Sequence, residues 1–272
     1  CMGLMSKAIT IFTTAMMSGC VQVGSTDPVV VSPTLPNAHF CEAGSEVNRE
    51  VQSAPSRRLA KIATKTRNAA VMIHHLDGSR RGSGVYMSYD NHHLVLTSAH
   101  VVQGGPPIVR VTTHTGESVV APVVVAALSH TEDYAVLLIE EPLSSATAMP
   151  LKIRQNSRSG IVGESIVYSG SPGHHELLTL YGNVSGVAAN ENLIVHSYAW
   201  MGASGSGVFD DRGNLVGILR AIDVNDGIVV PQLNEDMVWV APLTSVDLQR
   251  LSLVLEIYDL ASEVDELNMP QR

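Results

Sequence analysis

Three short segments carry residue types that could perform nucleophilic chemistry. Gly202-Ala203-Ser204-Gly205-Ser206-Gly207-Val208-Phe209 sets a serine between glycines before an apolar run. An attacking hydroxyl must be exposed, and the backbone beside it must be bare enough for a carbonyl to reach neighbouring N–H groups. Glycine supplies that clearance and the unusual backbone angles. A Gly/Ser-rich turn is common, so the octet gains meaning from Leu96-Thr97-Ser98-Ala99-His100 and Glu132-Asp133-Tyr134-Ala135-Val136-Leu137 upstream. His100 is a candidate base for Ser204, and Asp133 a candidate to orient that base. Glu132 competes with Asp133 on residue type alone.

Other chemistries fit less well. The histidine pairs His74-His75, His92-His93 and His174-His175 have neither a helical HExxH spacing nor accompanying cysteines, so no metal and no cofactor are expected. The GxSxG-like Gly202 to Ser206 lies after His100, the reverse of the α/β-hydrolase order, in which the histidine comes last. A net charge of −9 and a pI near 5.6 disfavour a nucleic-acid partner. The three cysteines, Cys1, Cys20 and Cys41, all precede the expected folded region, so its core has no disulfide framework.

Positioning these groups falls to short strands. Segments 70–74, 84–87, 93–97, 109–113, 119–127 and 135–139 form one series of apolar runs bounded by Gly, Asp, Asn and Ser. Segments 165–168, 178–187, 193–197, 207–209, 215–221 and 237–240 form a second. This pattern predicts an all-β chain of antiparallel barrels, one over about 70–150 and the other over about 160–243. Ser56 to Asn68 reads as a short amphipathic helix with basic residues on its solvated face. Ser245 to Leu260 reads as a C-terminal helix, and Ala261 to Arg272 as an acidic tail.

The N-terminal residues suggest export. Lys7 precedes an apolar run from Ala8 to Met17, too short to span a bilayer but suited to a signal peptide over residues 1–19. Met17-Ser18-Gly19-Cys20 resembles a bacterial lipobox, which implies lipidation at Cys20 and a membrane partner through that anchor. Residues 20–55 are rich in Ser, Thr, Pro and Val and read as a tether. The expected location is the bacterial cell envelope, as a periplasm-facing outer-membrane lipoprotein, or otherwise the secreted fraction.

Together, Thr97-Ser98-Ala99-His100, Asp133-Tyr134-Ala135-Val136-Leu137 and Gly202-Ala203-Ser204-Gly205 resemble the trypsin-like serine proteases, and their bacterial HtrA-like branch in particular. Gly82-Ser83-Gly84-Val85, Gly170-Ser171-Pro172-Gly173 and Leu215-Val216-Gly217-Ile218 extend the resemblance over about residues 56–250. It implies two six-stranded barrels with the active site between them, and protein or peptide substrates. Ser204 would attack, His100 would move the proton, Asp133 would orient His100, and the N–H groups of Gly202 and Ser204 would hold the oxyanion. The family places the aspartate directly before its strand, which favours Asp133 over Glu132. Tyr198 would form the base of the specificity pocket, with Arg220, Ala221 and Ile222 as its wall. That set implies cleavage after small or aliphatic residues.

The sequence departs from the family's pattern in several places. Ala203 stands where an Asp or Asn is usual and cannot pair with a newly cleaved N-terminus. Ile161-Val162-Gly163 imitates such a terminus but follows both His100 and Asp133. Ser206 replaces a usual glycine and Gly207 a usual proline or alanine, and the residues after the barrels are too few for a PDZ domain. These departures keep a second reading open, a protease-fold binding or scaffold protein with a poorly formed site. The oligomeric state is not set by the sequence.

Overall fold

The computed structural model describes residues 54–154, 160–173, 175–225, 232–243 and 246–268. The signal segment, Cys20, Cys41, nearly all of the tether and His174 lie outside the described residues.

The first element, α1 (Arg57–Ala69), begins where Ser56 accepts the Leu59 N–H on its hydroxyl at 3.1 Å. Leu59, Ile62, Ala63, Thr66 and Ala69 recur on one face and are buried, while Arg57, Arg58, Lys61, Lys65 and Arg67 remain exposed. The basic face is therefore solvated. Thr66 shares a 2.9 Å hydrogen bond with Ser169, which ties the helix to the second half of the chain.

The chain turns extended at Ala70 and enters the first barrel. Its strands are β1 (Ala70–His74), β2 (Arg81–Tyr89), β3 (His92–Thr97), β4 (Ile108–Thr113), β5 (Ser118–Leu128) and β6 (Asp133–Ile139). They pair in the order β1-β4-β5-β6-β3-β2, and β2 returns to β1 to close an antiparallel barrel. Between β2 and β3 the tight turn is Asp90-Asn91, both at positive φ, as a two-residue hairpin requires. A short β7 (Met149–Pro150) adds in parallel to β2.

The second barrel comprises β8 (Ser165–Gly170), β9 (Leu178–Val187), β10 (Leu193–His196), β11 (Gly207–Phe209), β12 (Leu215–Asn225) and β13 (Gln232–Pro242). It closes in the order β10-β13-β12-β11-β8-β9. All twelve expected strands form. The strands β12 and β13 run further than their apolar residues suggest, since backbone pairing continues through Asp223 to Asn225 against Asn234 to Gln232. The architecture is all-β, two closed six-stranded antiparallel barrels followed by a C-terminal helix.

That helix, α3 (Leu248–Asn268), is capped by the Asp247 carboxylate, which accepts the N–H groups of Gln249 and Arg250 at 3.0 Å each. Leu251 and Leu255 are buried in the apolar cluster of the first barrel. The helix continues eight residues past the expected end at Leu260, so the acidic stretch from Ala261 is helical through Asn268. Its Glu and Leu residues are good helix formers, and charge alone is no stop signal.

One surface carboxylate fastens the loop after β6. Glu117 accepts the N–H groups of Ser144 and Ser145 at 3.0 and 2.8 Å and the Ser145 hydroxyl at 2.6 Å. The Ser145 hydroxyl and then these N–H donors pull its carboxyl from the usual 4.5 to about 2. A depressed carboxyl stabilises the fold fully above its ordinary value and loses that contribution as pH falls through the folded one. Glu117→Gln should therefore lower the Tm at pH 7, and the gap to wild type should narrow between pH 4.5 and 2 in a thermal-unfolding series.

Candidate active site

His100 is delivered by the end of β3. Thr97 closes the strand, Ser98 begins a single helical turn, α2 (Ala99–Val102), and His100 is the second residue of that turn. The Ser98 hydroxyl is buried and donates to the Leu219 carbonyl at 2.9 Å, which binds this corner of the first barrel to β12 of the second.

Asp133 opens β6 and is only 1% exposed. One carboxylate oxygen accepts the His100 backbone N–H at 3.0 Å, and the other accepts His100 Nδ1–H at 2.7 Å. This grip fixes the ring and leaves Nε2 as the nitrogen with a lone pair. Glu132 turns instead to the Ser129 hydroxyl, which bonds its own N–H at 3.0 Å. Asp133, not Glu132, is the carboxylate brought to His100.

Ser204 sits on a turn pinned from several sides. The Ala203 N–H donates to the Trp200 carbonyl at 3.0 Å, and the Ala203 carbonyl accepts both the N–H and the hydroxyl of Ser206, at 3.1 and 2.7 Å. The serine found where a glycine is usual thus braces the turn. Gly202 and Gly205 have φ of +97° and +94°. A Cβ on Gly202 would lie 2.6 Å from the Ser171 carbonyl oxygen, and one on Gly205 would overlap the Ser83 carbonyl oxygen and Thr97 Oγ1. Glycine is required at both positions.

The peptide groups around Ser204 are oriented through their carbonyls. The Met201 carbonyl accepts the Gly173 N–H at 2.6 Å, and the Ala203 carbonyl is held by Ser206. Because a trans peptide points its C=O and N–H in opposite directions, the N–H groups of Gly202 and Ser204 face away from these anchors. Among the described residues neither N–H has a hydrogen-bond partner.

Sequence reasoning missed the role of Ser83. It lies fully buried on β2; its N–H donates to the Ser204 carbonyl at 2.7 Å and its hydroxyl to the Gly202 carbonyl at 2.7 Å. The same hydroxyl accepts the Ser171 N–H at 2.9 Å, and its carbonyl accepts the Thr97 hydroxyl at 2.7 Å. A serine at an inward strand position inside Gly-Ser-Gly was the available signal.

The residues expected to form a specificity pocket have distinct surroundings. Arg220 turns its guanidinium to the loop that leads into β6. Nη1 and Nη2 donate to the carbonyls of His130 and Ser129 at 3.0 and 3.1 Å, and Nε lies 3.7 Å from Asp133 Oδ2. Asp133 and the two carbonyls of its loop hold the guanidinium there. The Ser204 hydroxyl donates to the Arg220 carbonyl at 3.3 Å and does not bond His100. Tyr198 lines a groove of about 500 Å³ with Pro55, Leu59, Tyr181 and His196. Its carbonyl accepts the hydroxyl of Tyr168, whose burial holds that phenol above its ordinary pKa. Ala221 is exposed and Ile222 half-buried on β12.

Ala203 is fully buried in the apolar cluster of the second barrel, which also contains Ile161. Three histidines outside the site have structural partners of their own. His75 bonds the Val101 carbonyl at 2.7 Å, His92 bonds Asp259 at 3.0 Å and His93 bonds the Tyr86 hydroxyl at 2.7 Å. Among the described residues, no three His, Cys, Asp or Glu side chains gather as a metal site.

Ser83→Ala would strand the half-buried Gly202 carbonyl and the buried Ser171 N–H. The expected loss is about 1–3 kcal/mol, read from denaturant unfolding.

No curated protein matches the chain significantly. Among solved structures, the serine endoprotease from Yersinia pestis aligns with a TM-score of 0.55 at 20% identity, covering 74% of this chain and 68% of its own. The Rv3671c protease of Mycobacterium tuberculosis H37Rv, in an inactive form, aligns with a TM-score of 0.51 at 19% identity, covering 67% of this chain and 87% of its own. At that identity they share a fold with this chain. The sequence signature of the trypsin-like peptidase domain matches residues 82–218, a little over half of the chain, and the chain belongs to that family.

Proposed function

We propose that the chain is a serine endopeptidase that cleaves peptide bonds through Ser204, His100 and Asp133. The observation that carries this reading is the pair of hydrogen bonds that Asp133 accepts from the His100 ring and backbone, with Ser204 on a glycine turn pinned to the same barrel. A serine hydroxyl is a poor nucleophile at neutral pH and needs such a base. Ser204 Oγ attacks the scissile carbonyl as His100 Nε2 takes its proton. The oxyanion forms against the N–H groups of Gly202 and Ser204, where one donor is worth about 2.7–4 kcal/mol of barrier. His100 then returns the proton to the leaving amine, and water hydrolyses the acyl-enzyme by the same route. For the first step the Ser204 hydroxyl rotates from the Arg220 carbonyl toward His100.

With the Arg220 guanidinium bonded to the loop before β6, Tyr198, Ala221 and Ile222 are the candidates to limit the residue before the cut, and the proposed preference is small or aliphatic. Cleavage of a peptide library should show that preference. Asp133→Asn should lower kcat by about 10⁴-fold, and Ser204→Ala by about 10⁶-fold. A profile dominated by basic or large aromatic residues would overturn the specificity, and cleavage unchanged in Ser204→Ala would overturn the mechanism.

A second reading, a binding or scaffold protein on a protease fold, draws on the Ser204 hydroxyl resting on Arg220. A folded wild type that cleaves nothing in the library would favour it.

We also propose export and anchoring through Cys20, supported by Lys7, the apolar run to Met17 and the Met17-Ser18-Gly19-Cys20 motif. Expressed in a bacterium, the wild type should partition with membranes and incorporate labelled fatty acid. Cys20→Ala should lose the label, and label retained in that variant would contradict the anchor.

A further inference from the structure

The turn that carries Ser204 is held between two strands. The Ser83 N–H on β2 donates to the Ser204 carbonyl at 2.7 Å, and the Gly205 N–H donates to the Leu219 carbonyl on β12 at 2.8 Å. Ala221 and Ile222, candidates to limit the residue before the cut, belong to the β12 side. The β2 side is left for the residues after the cut. There Gly82 runs so close that a Cβ on it would lie 3.0 Å from the Ser204 carbonyl oxygen. Its neighbour Arg81 donates to the carbonyl of Gly173, whose own N–H donates to the Met201 carbonyl at 2.6 Å, beside the proposed oxyanion donors.

From Arg81 a row of basic side chains crosses the first barrel. His74 on β1 pairs with Arg81 of β2 on one side and with Arg110 of β4 on the other, so all three stand on one face of the sheet. Ile73 is fully buried, which sets His74 outward, and both arginines are exposed. Burial, and then the charges of Arg81 and Arg110, hold the His74 ring below its ordinary 6.5. At neutral pH an uncharged imidazole therefore lies between two guanidinium groups. The chain carries a net charge of −9, yet among the described residues none of the three forms an ion pair, and the Arg110 guanidinium has no hydrogen-bond partner. Nearby charges are engaged elsewhere. Asp77, in the turn between β1 and β2, accepts the Ser79 N–H at 2.9 Å, and Glu117, after β4, is held by Ser144 and Ser145. Arg80 directs its guanidinium to the carbonyls of His100 and Gln103 at 3.4 and 2.9 Å.

We propose that this row binds Asp or Glu side chains in the first few residues of the substrate after the cut. The proposal rests on the endopeptidase reading, which fixes the part of the substrate that passes β2. Two strand spacings make the row about 10 Å long, the reach of roughly three residues of extended peptide. A carboxylate there would accept from a guanidinium fork and offset the repulsion between the two arginines.

The test compares two fluorescein-labelled peptides with the same small aliphatic residues before the cut and either Glu-Ala-Glu or Gln-Ala-Gln after it. The full-length wild type should cleave the Glu peptide with a kcat/KM higher by about 1.5–5-fold for each arginine engaged. The difference should shrink as salt is raised. Arg110→Gln should lose most of that preference while cleaving the Gln peptide at the wild-type rate, and Arg110→Lys should restore part of it. Anisotropy with Ser204→Ala separates the row from the chemistry. Tighter binding of the Glu peptide that Arg110→Gln weakens, with no cleavage by wild type, would support the row and overturn the endopeptidase reading. Equal cleavage and equal binding of the two peptides would overturn the row, as would a preference unchanged in Arg110→Gln. Sedimentation with phosphatidylglycerol vesicles that depends on Arg110, without discrimination between the peptides, would also overturn it and assign the row to a lipid surface.

Discussion

The site depends on one contact between barrels, where Ser83 on β2 holds the turn that carries Ser204. His100 and Asp133 belong to the first barrel and Ser204 to the second, so their relation is only as fixed as that seam. Two hydrogen bonds of 2.7 Å, from the Ser83 N–H and hydroxyl, fasten the carbonyls of Ser204 and Gly202. Gly205 permits this closeness, since any side chain there would occupy the space of Ser83 and Thr97. The Ser98 bond to Leu219 repeats the device on the side of His100. Buried polar groups are costly unless paired, so this set of satisfied hydroxyls specifies one arrangement.

Arg220 links the same two bodies by another route. Its backbone lies on β12 and accepts the Ser204 hydroxyl, while its guanidinium holds the loop that leads into Asp133. One residue thus touches both the resting nucleophile and the support of the orienting acid. Ala203 fits the same economy. Where an acid would need a cation, the apolar cluster around Ile161 and Ala199 supplies packing alone.

Much of this was legible in the sequence because alternation and turn residues report local structure directly. All twelve strands, the basic helix at Arg57–Ala69 and the segments bearing His100, Asp133 and Ser204 could be read from the order of residues. Three features could not. Ser83 acts through partners far along the chain, and a small polar residue on a strand gives no local sign of them. The resemblance puts Arg220 on the pocket wall, but it gives no sign that the guanidinium bonds the loop that leads into Asp133. The end of α3 was misplaced because acidic residues suggest a tail, whereas their helix propensity lets the helix run on to Asn268.

The central claim is that Ser204 is an activated nucleophile. The most direct measurement is reaction of the folded protein with a fluorophosphonate, followed by intact mass and peptide mapping. The account predicts one covalent adduct on Ser204, absent from Ser204→Ala and strongly reduced in His100→Ala. An adduct on another serine, or none on a well-folded wild type, would contradict it.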